Sequence, residues 1–87
     1  MSEFNATFSF VCDNQQLALD EIEQQVKNAG LSVTDLEVMD TIETDHEDDW
    51  FDDYEFIIRG NVTSDVYSVQ QMKEILYNNV SEYTGGK

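Results

Sequence analysis

Tyr54-Glu55-Phe56-Ile57-Ile58-Arg59-Gly60-Asn61-Val62 is the stretch on which the fold turns. Side chains alternate along a strand, so Tyr54, Phe56, Ile58, Gly60 and Val62 share one face and Glu55, Ile57, Arg59 and Asn61 the other. The run Phe56-Ile57-Ile58 is apolar on both faces, which suits a strand with a neighbour on each side. A central strand over Tyr54–Val62 is therefore expected. The rest of the chain supplies its partners.

Upstream lies a second strand, Leu36 to Glu43. Here Leu36, Val38, Asp40 and Ile42 share one face and Glu37, Met39, Thr41 and Glu43 the other. Leu31 and Val33 have the opposite parity, so a bend or bulge is expected at Thr34-Asp35. Further back, Phe4 to Cys12 alternates cleanly. Phe4, Ala6, Phe8, Phe10 and Cys12 lie on one side, and Asn5, Thr7, Ser9 and Val11 on the other. Between these strands the spacing of Ala18, Ile22, Val26 and Ala29, with Leu19 beside them, predicts a helix from about Asn14 to Ala29. Asp13 is the expected cap, with Gln16 in capping-box position, and Gly30 the expected stop. After the central strand, the spacing of Val69, Met72, Leu76, Val80 and Tyr83, with Ile75, predicts a second helix that starts near Thr63-Ser64-Asp65, with Ser64 as cap, and runs to about Val80.

The order is β-α-β-β-α. It predicts an α+β fold, a mainly antiparallel three-stranded sheet with both helices packed on one face. Two strand orders satisfy this pattern, and the apolar third strand favours the middle position. One domain is expected over 1–83, with a frayed tail at 84–87.

Of the 87 residues, 40% are hydrophobic and 11% aromatic, enough to build one modest core rather than a disordered acidic chain. The formal net charge is -15, from 19 acidic and 4 basic residues. Such a charge repels nucleic acid, anionic membranes and acidic substrates, and attracts basic surfaces. The single cysteine, Cys12, precludes an internal disulfide, and its strand-end position reads as a small buried hydrophobe. No apolar run suggests a membrane span, and the amino terminus has no basic-then-apolar pattern, so a cytoplasmic location is expected.

The charge is concentrated. Eleven of the 21 positions from Asp35 to Glu55 are Asp or Glu, and none is Lys or Arg. The candidate partner-binding residues are Glu43, Asp45, Glu47, Asp48, Asp49, Trp50, Phe51, Asp52, Asp53 and Glu55. Crowding like charges costs folding energy, so a role in binding is expected. Carboxylates at alternate strand positions stand about 6.6 Å apart, and a ribbon carrying Asp45, Glu47 and Asp49 resembles a line of phosphates. Trp50 and Tyr54 share the parity of Phe56 and are core candidates. Phe51, on the other parity, is the candidate anchor.

No catalytic residue is assigned. The carboxylates crowd a loop where water screens them, His46 is a solvated histidine in an acidic field, and no nucleophile constellation or glycine-rich phosphate loop occurs. No cofactor and no metal site is assigned. The calcium-loop spacing fails from Asp45, because Trp50 holds the position that needs glycine and Phe56 the one that needs glutamate. Calcium binding stands as a third reading. The second is an adaptor whose open sheet face, with Val11, Met39 and Ile57, binds a partner or itself as a homodimer.

The segment Glu47-Asp48-Asp49-Trp50-Phe51-Asp52-Asp53-Tyr54-Glu55 resembles the acidic–aromatic segments of small phage-encoded DNA-mimic inhibitors, the anti-restriction and anti-CRISPR proteins. That group shares a strategy and no common fold, so the resemblance carries over no residue role. It implies a non-enzymatic inhibitor that binds the basic surface of a nucleic-acid-binding protein, such as a nuclease, CRISPR effector, polymerase or nucleoid protein. From the net charge, no direct contact with nucleic acid or membrane is expected.

Overall fold

A computed structural model describes residues 1–43 and 54–84. The elements are β1 (Ser2–Cys12), α1 (Gln15–Asn28), β2 (Ser32–Glu43), β3 (Tyr54–Ser64) and α2 (Val69–Asn79). The sheet order is β1-β3-β2, with β3 antiparallel to both neighbours. The apolar third strand thus occupies the centre, the one of the two open orders that its two-sided pattern favours. β1 and β2 run in the same direction on either side of it. The chain must cross the sheet to join them, and α1 makes that crossing, touching all three strands.

Both helices contribute to one core. Ala18, Ile22 and Val26 of α1 and Met72 and Leu76 of α2 are completely buried against Phe8, Ile58 and Val62 of the sheet. Each large side chain buried this way contributes about 1.5–3 kcal/mol. Phe4, Phe10, Cys12, Val33, Leu36, Val38 and Tyr54 are partly buried around this centre. Cys12 sits at its margin, and its thiol donates to the Asn14 carbonyl at 3.0 Å.

The helix ends differ from expectation at two places. Asn14, not Asp13, caps α1: its backbone is extended and its side chain accepts the Leu17 N–H at 3.2 Å. The third residue after Asn14 is the apolar Leu17, so no capping box forms. Ser68, not Ser64, caps α2. Ser68 accepts from the Gln71 N–H at 3.3 Å while Gln71 accepts from the Ser68 N–H at 2.9 Å, a complete capping box. β3 runs on to Ser64, whose hydroxyl accepts from Val66 and Tyr67 N–H and shapes the turn instead. The α1 stop is as expected. Gly30 has φ 87, and the Gly30 and Leu31 N–H groups close back onto Lys27 and Val26.

β2 starts earlier than its apolar pattern suggests, at Ser32, and carries two bulges. At the first, Asp35 and Leu36 together face Gly60, and Asp35 takes φ 56. This is the irregularity expected at Thr34-Asp35. The second was not expected. Val38 pairs with Ile58 but Asp40 pairs with Ile57, which leaves Met39 as the extra residue.

The free side of β1 is partly covered by the chain after α2. Ser9 N–H donates to Glu82 O at 2.8 Å and Thr84 N–H to Thr7 O at 2.9 Å, while the Tyr83 ring packs on Phe8 with centroids 5.9 Å apart. The hydrogen-bonded chain therefore reaches Thr84, one residue past the boundary at 83 drawn from sequence.

Candidate functional site

The helices cover one face of the sheet and, among the described residues, leave the other bare. Across that bare face the register sets out rows of side chains. Asn5, Asn61 and Thr34 form one row, and Thr7, Arg59 and Glu37 the next. Ser9, Ile57 and Asp40 follow, and Val11, Glu55 and Ile42 end the series. The last two rows lie where β2 ends and β3 begins, because Glu43 pairs with Tyr54 and Tyr54 with Cys12. The acidic stretch therefore leaves and re-enters the sheet at this end.

The second bulge decides which side chains the bare face shows. Without it, Asp40 and Ile42 would share the helix-covered face with Leu36 and Val38. With Met39 inserted, Asp40 and Ile42 turn to the bare face, and Thr41 and Glu43 turn to the helix side opposite Phe56 and Tyr54. This corrects the sequence assignment of these four residues, and it sets Glu43 and Glu55 on opposite faces. A signal was present in the sequence, because uninterrupted alternation puts a carboxylate, Asp40, among core positions. The cost of burying an unpaired charge argues for a register break just before it.

Glu55 occupies the middle of the last row and is partly buried, with Val11 and Ile42 as cross-strand neighbours and Ile57 two residues along. Ser9 Oγ donates to Glu55 Oε2 at 2.9 Å across the β1–β3 pair. Sequence reading did not find this bond, because it depends on the register of two strands 46 positions apart. Around the carboxylate the surface is aliphatic: Val11 is 51% exposed, Met39 49% and Ile42 44%.

The described bases are spent elsewhere. Lys27 pairs with Glu23 on α1 at 3.1 Å, Arg59 with Glu37 at 3.7 Å, and Lys73 Nζ lies 5.6 Å from the centre of the Phe4 ring. Arg59 stands four residues from Glu55 along β3, about 13 Å away. Farther along the bare face a polar depression of about 380 Å³ is lined by Glu3, Asn5, Asp35, Glu37, Arg59, Gly60 and Asn61. Its polar groups largely satisfy one another, through the Arg59–Glu37 pair and an Asn61 amide donating to Glu3 at 3.0 Å.

Of the ten candidate residues, the structure places Glu43 and Glu55. Asp45, Glu47, Asp48, Asp49, Trp50, Phe51, Asp52 and Asp53 lie outside the described residues, as does His46. Tyr54 packs against the core next to Phe56, ring centroids 6.1 Å apart, as its parity indicates. Among the described residues no three His, Cys, Asp or Glu side chains cluster as metal ligands, and no helix is long and apolar enough to cross a membrane. The Tyr83 phenol is pushed up from its ordinary value by burial beside β1. The chain matches no protein-family model, no curated protein and no solved structure.

Proposed function

We propose that this protein is a non-enzymatic acidic inhibitor that binds the basic site of a nucleic-acid-binding protein by imitating the charge of DNA. The observation that carries the reading is the run from Asp35 to Glu55, with eleven carboxylates and no base. A net charge of -15 on 87 residues is a cost to folding that a merely structural domain would not need. In support, Lys27 and Lys73 lie beside groups outside this run, and Arg59, which pairs with Glu37 of the run, stands four residues along β3 from Glu55. The central strand is paired on both sides at that end, so Glu55 is held on a rigid base, which lowers the entropy lost on binding. The expected setting is the cytoplasm of a host cell, and the expected targets are nucleases, CRISPR effectors, polymerases or nucleoid proteins. The resemblance of Glu47–Glu55 to phage-encoded DNA mimics points the same way.

The test is capture of basic proteins from DNase-treated host lysate, followed by affinity measurement for the captured protein at low and high salt. Affinity should fall on the order of tenfold or more with added salt, because steering by opposite charge is screened. The double substitution Asp48→Lys with Asp52→Lys should abolish binding and leave the circular dichroism spectrum unchanged. A salt-independent affinity excludes the mimicry.

A further inference from the structure

The bare sheet face ends in an aliphatic patch, Val11, Met39, Ile42 and Ile57, built around the Glu55 carboxylate and bordered by Asp40. We infer that this end of the face is a docking site for an amphipathic helix of the partner protein, one that carries Lys or Arg beside its apolar side chains. The inference rests on the reading above that the partner is basic, and it names the element the partner presents.

Three observations choose this occupant. First, the patch is both apolar and negative. Among the described residues, Glu55 accepts one side-chain hydrogen bond, from Ser9, and no base pairs with it. A Lys or Arg side chain fits that pattern, because its methylene stem lies on Val11 and Ile42 while its head meets the carboxylate. Second, an added strand is disfavoured at both edges. Bulges at Asp35 and Met39 interrupt the β2 edge, which also carries Asp35, Glu37 and Asp40, and the Glu82–Thr84 segment is hydrogen-bonded to the middle of β1. A helix laid on the face needs no free edge, and α1 and α2 already cover the opposite face in that way. Third, a second copy is repelled, since each chain carries a net charge of -15 and face-to-face pairing would bring carboxylates 40 and 55 of each copy together.

The experiment titrates the full chain with two probes, a helix-forming lysine–leucine peptide with one apolar side and an oligolysine of equal charge. Binding is followed by calorimetry and amide chemical shifts. The lysine–leucine peptide should bind about tenfold tighter or more. Its shifts should centre on Ser9, Val11, Ile42 and Ile57. Met39→Ser with Ile42→Ser should reduce its affinity to that of oligolysine. Val11→Ser on β1 should do the same in part, which guards against a change peculiar to β2. Equal affinity for the two probes overturns the inference. So do shifts centred on the exposed Val66, Tyr67 or Tyr77, affinity unmoved by the serine variants, or a sedimenting dimer that protects the patch. Failure here leaves the salt-sensitive capture of basic proteins and its loss in Asp48→Lys/Asp52→Lys intact, whereas failure of mimicry removes those two effects.

Discussion

Leu36 lies directly over Gly60: a β-carbon at Gly60 would come within 2.6 Å of Leu36 Cδ2 and 2.8 Å of Val33 Cγ2. The bulge brings this about, because Asp35 and Leu36 share the one opposing residue and the surplus backbone tips Leu36 inward. At Gly60 the side chains of the edge strand thus occupy the space that a β-carbon on the central strand would need. Gly60→Ala should destabilise the fold by about 1–3 kcal/mol, the usual cost of overpacking. Adding Leu36→Ala should recover part of the loss in a denaturant titration. Additive losses would show that the two side chains do not compete for one space.

Asp35 holds the left-handed backbone of the bulge, with φ 56. Aspartate tolerates this region and β-branched residues do not. Asp35→Val should therefore cost about 1–2 kcal/mol, and Asp35→Gly should be at least as stable as the parent. Thermal melts of the two variants make the comparison. A stable Asp35→Val chain would mean that β2 has another register within reach.

Ser68→Ala should cost about 1 kcal/mol, because it removes one side of the capping box that starts α2. Ser64→Ala should cost less, since its hydroxyl serves two exposed turn amides. The order of the two midpoints in urea is the check, and a reversed order would place the helix start at Ser64 after all.

Burial raises the Tyr83 phenol above its ordinary value of 10.0. The folded chain keeps this proton while the unfolded chain begins to release it near that value. The Tyr83 contribution to stability is therefore complete below about pH 10 and declines as pH rises through the folded pKa. Tyr83→Phe should lessen the fall in melting temperature between pH 9 and pH 11, about one unit either side of that ordinary value. An identical fall in the variant would assign the alkaline loss to other groups.

Salt should raise the melting temperature. The two ion pairs among the described residues are exposed, so each contributes about 0–1 kcal/mol at most. Repulsion within a net charge of -15 is relieved by screening. The same salt that stabilises the fold should weaken partner binding, and a fall in melting temperature with salt would reverse the first of these effects.

The strand centre, the two helices and the α1 stop were legible because each follows from a local pattern. Period-two alternation sets Phe56, Ile58 and Val62 inward. A three-to-four spacing sets Ala18, Ile22 and Val26 inward, and Gly30 supplies the left-handed turn. The capping residues were less legible. Asn14 and Ser68 compete with Asp13 and Ser64 for the same role, and the end of the preceding strand settles which one wins. The candidate site was legible as a charge run, since eleven acids without a base need no coordinates to be seen. The aliphatic patch around Glu55 was only half legible, with Val11 and Ile57 on the correct face and Ile42 on the wrong one.

The sequence by itself determined the α+β class and the strength of the negative charge, because composition and periodicity are properties of the chain alone. It favoured the central place of the most apolar strand, and the strand pairing decided it. Only the tertiary structure decided that Met39 is a bulge residue, that Ile42 and Asp40 join Ile57 and Glu55 on the bare face, and that Ser9 holds the Glu55 carboxylate. Each of these depends on which residue of one strand lies opposite which residue of another. A one-residue slip there exchanges the two faces of a strand while leaving its sequence unchanged.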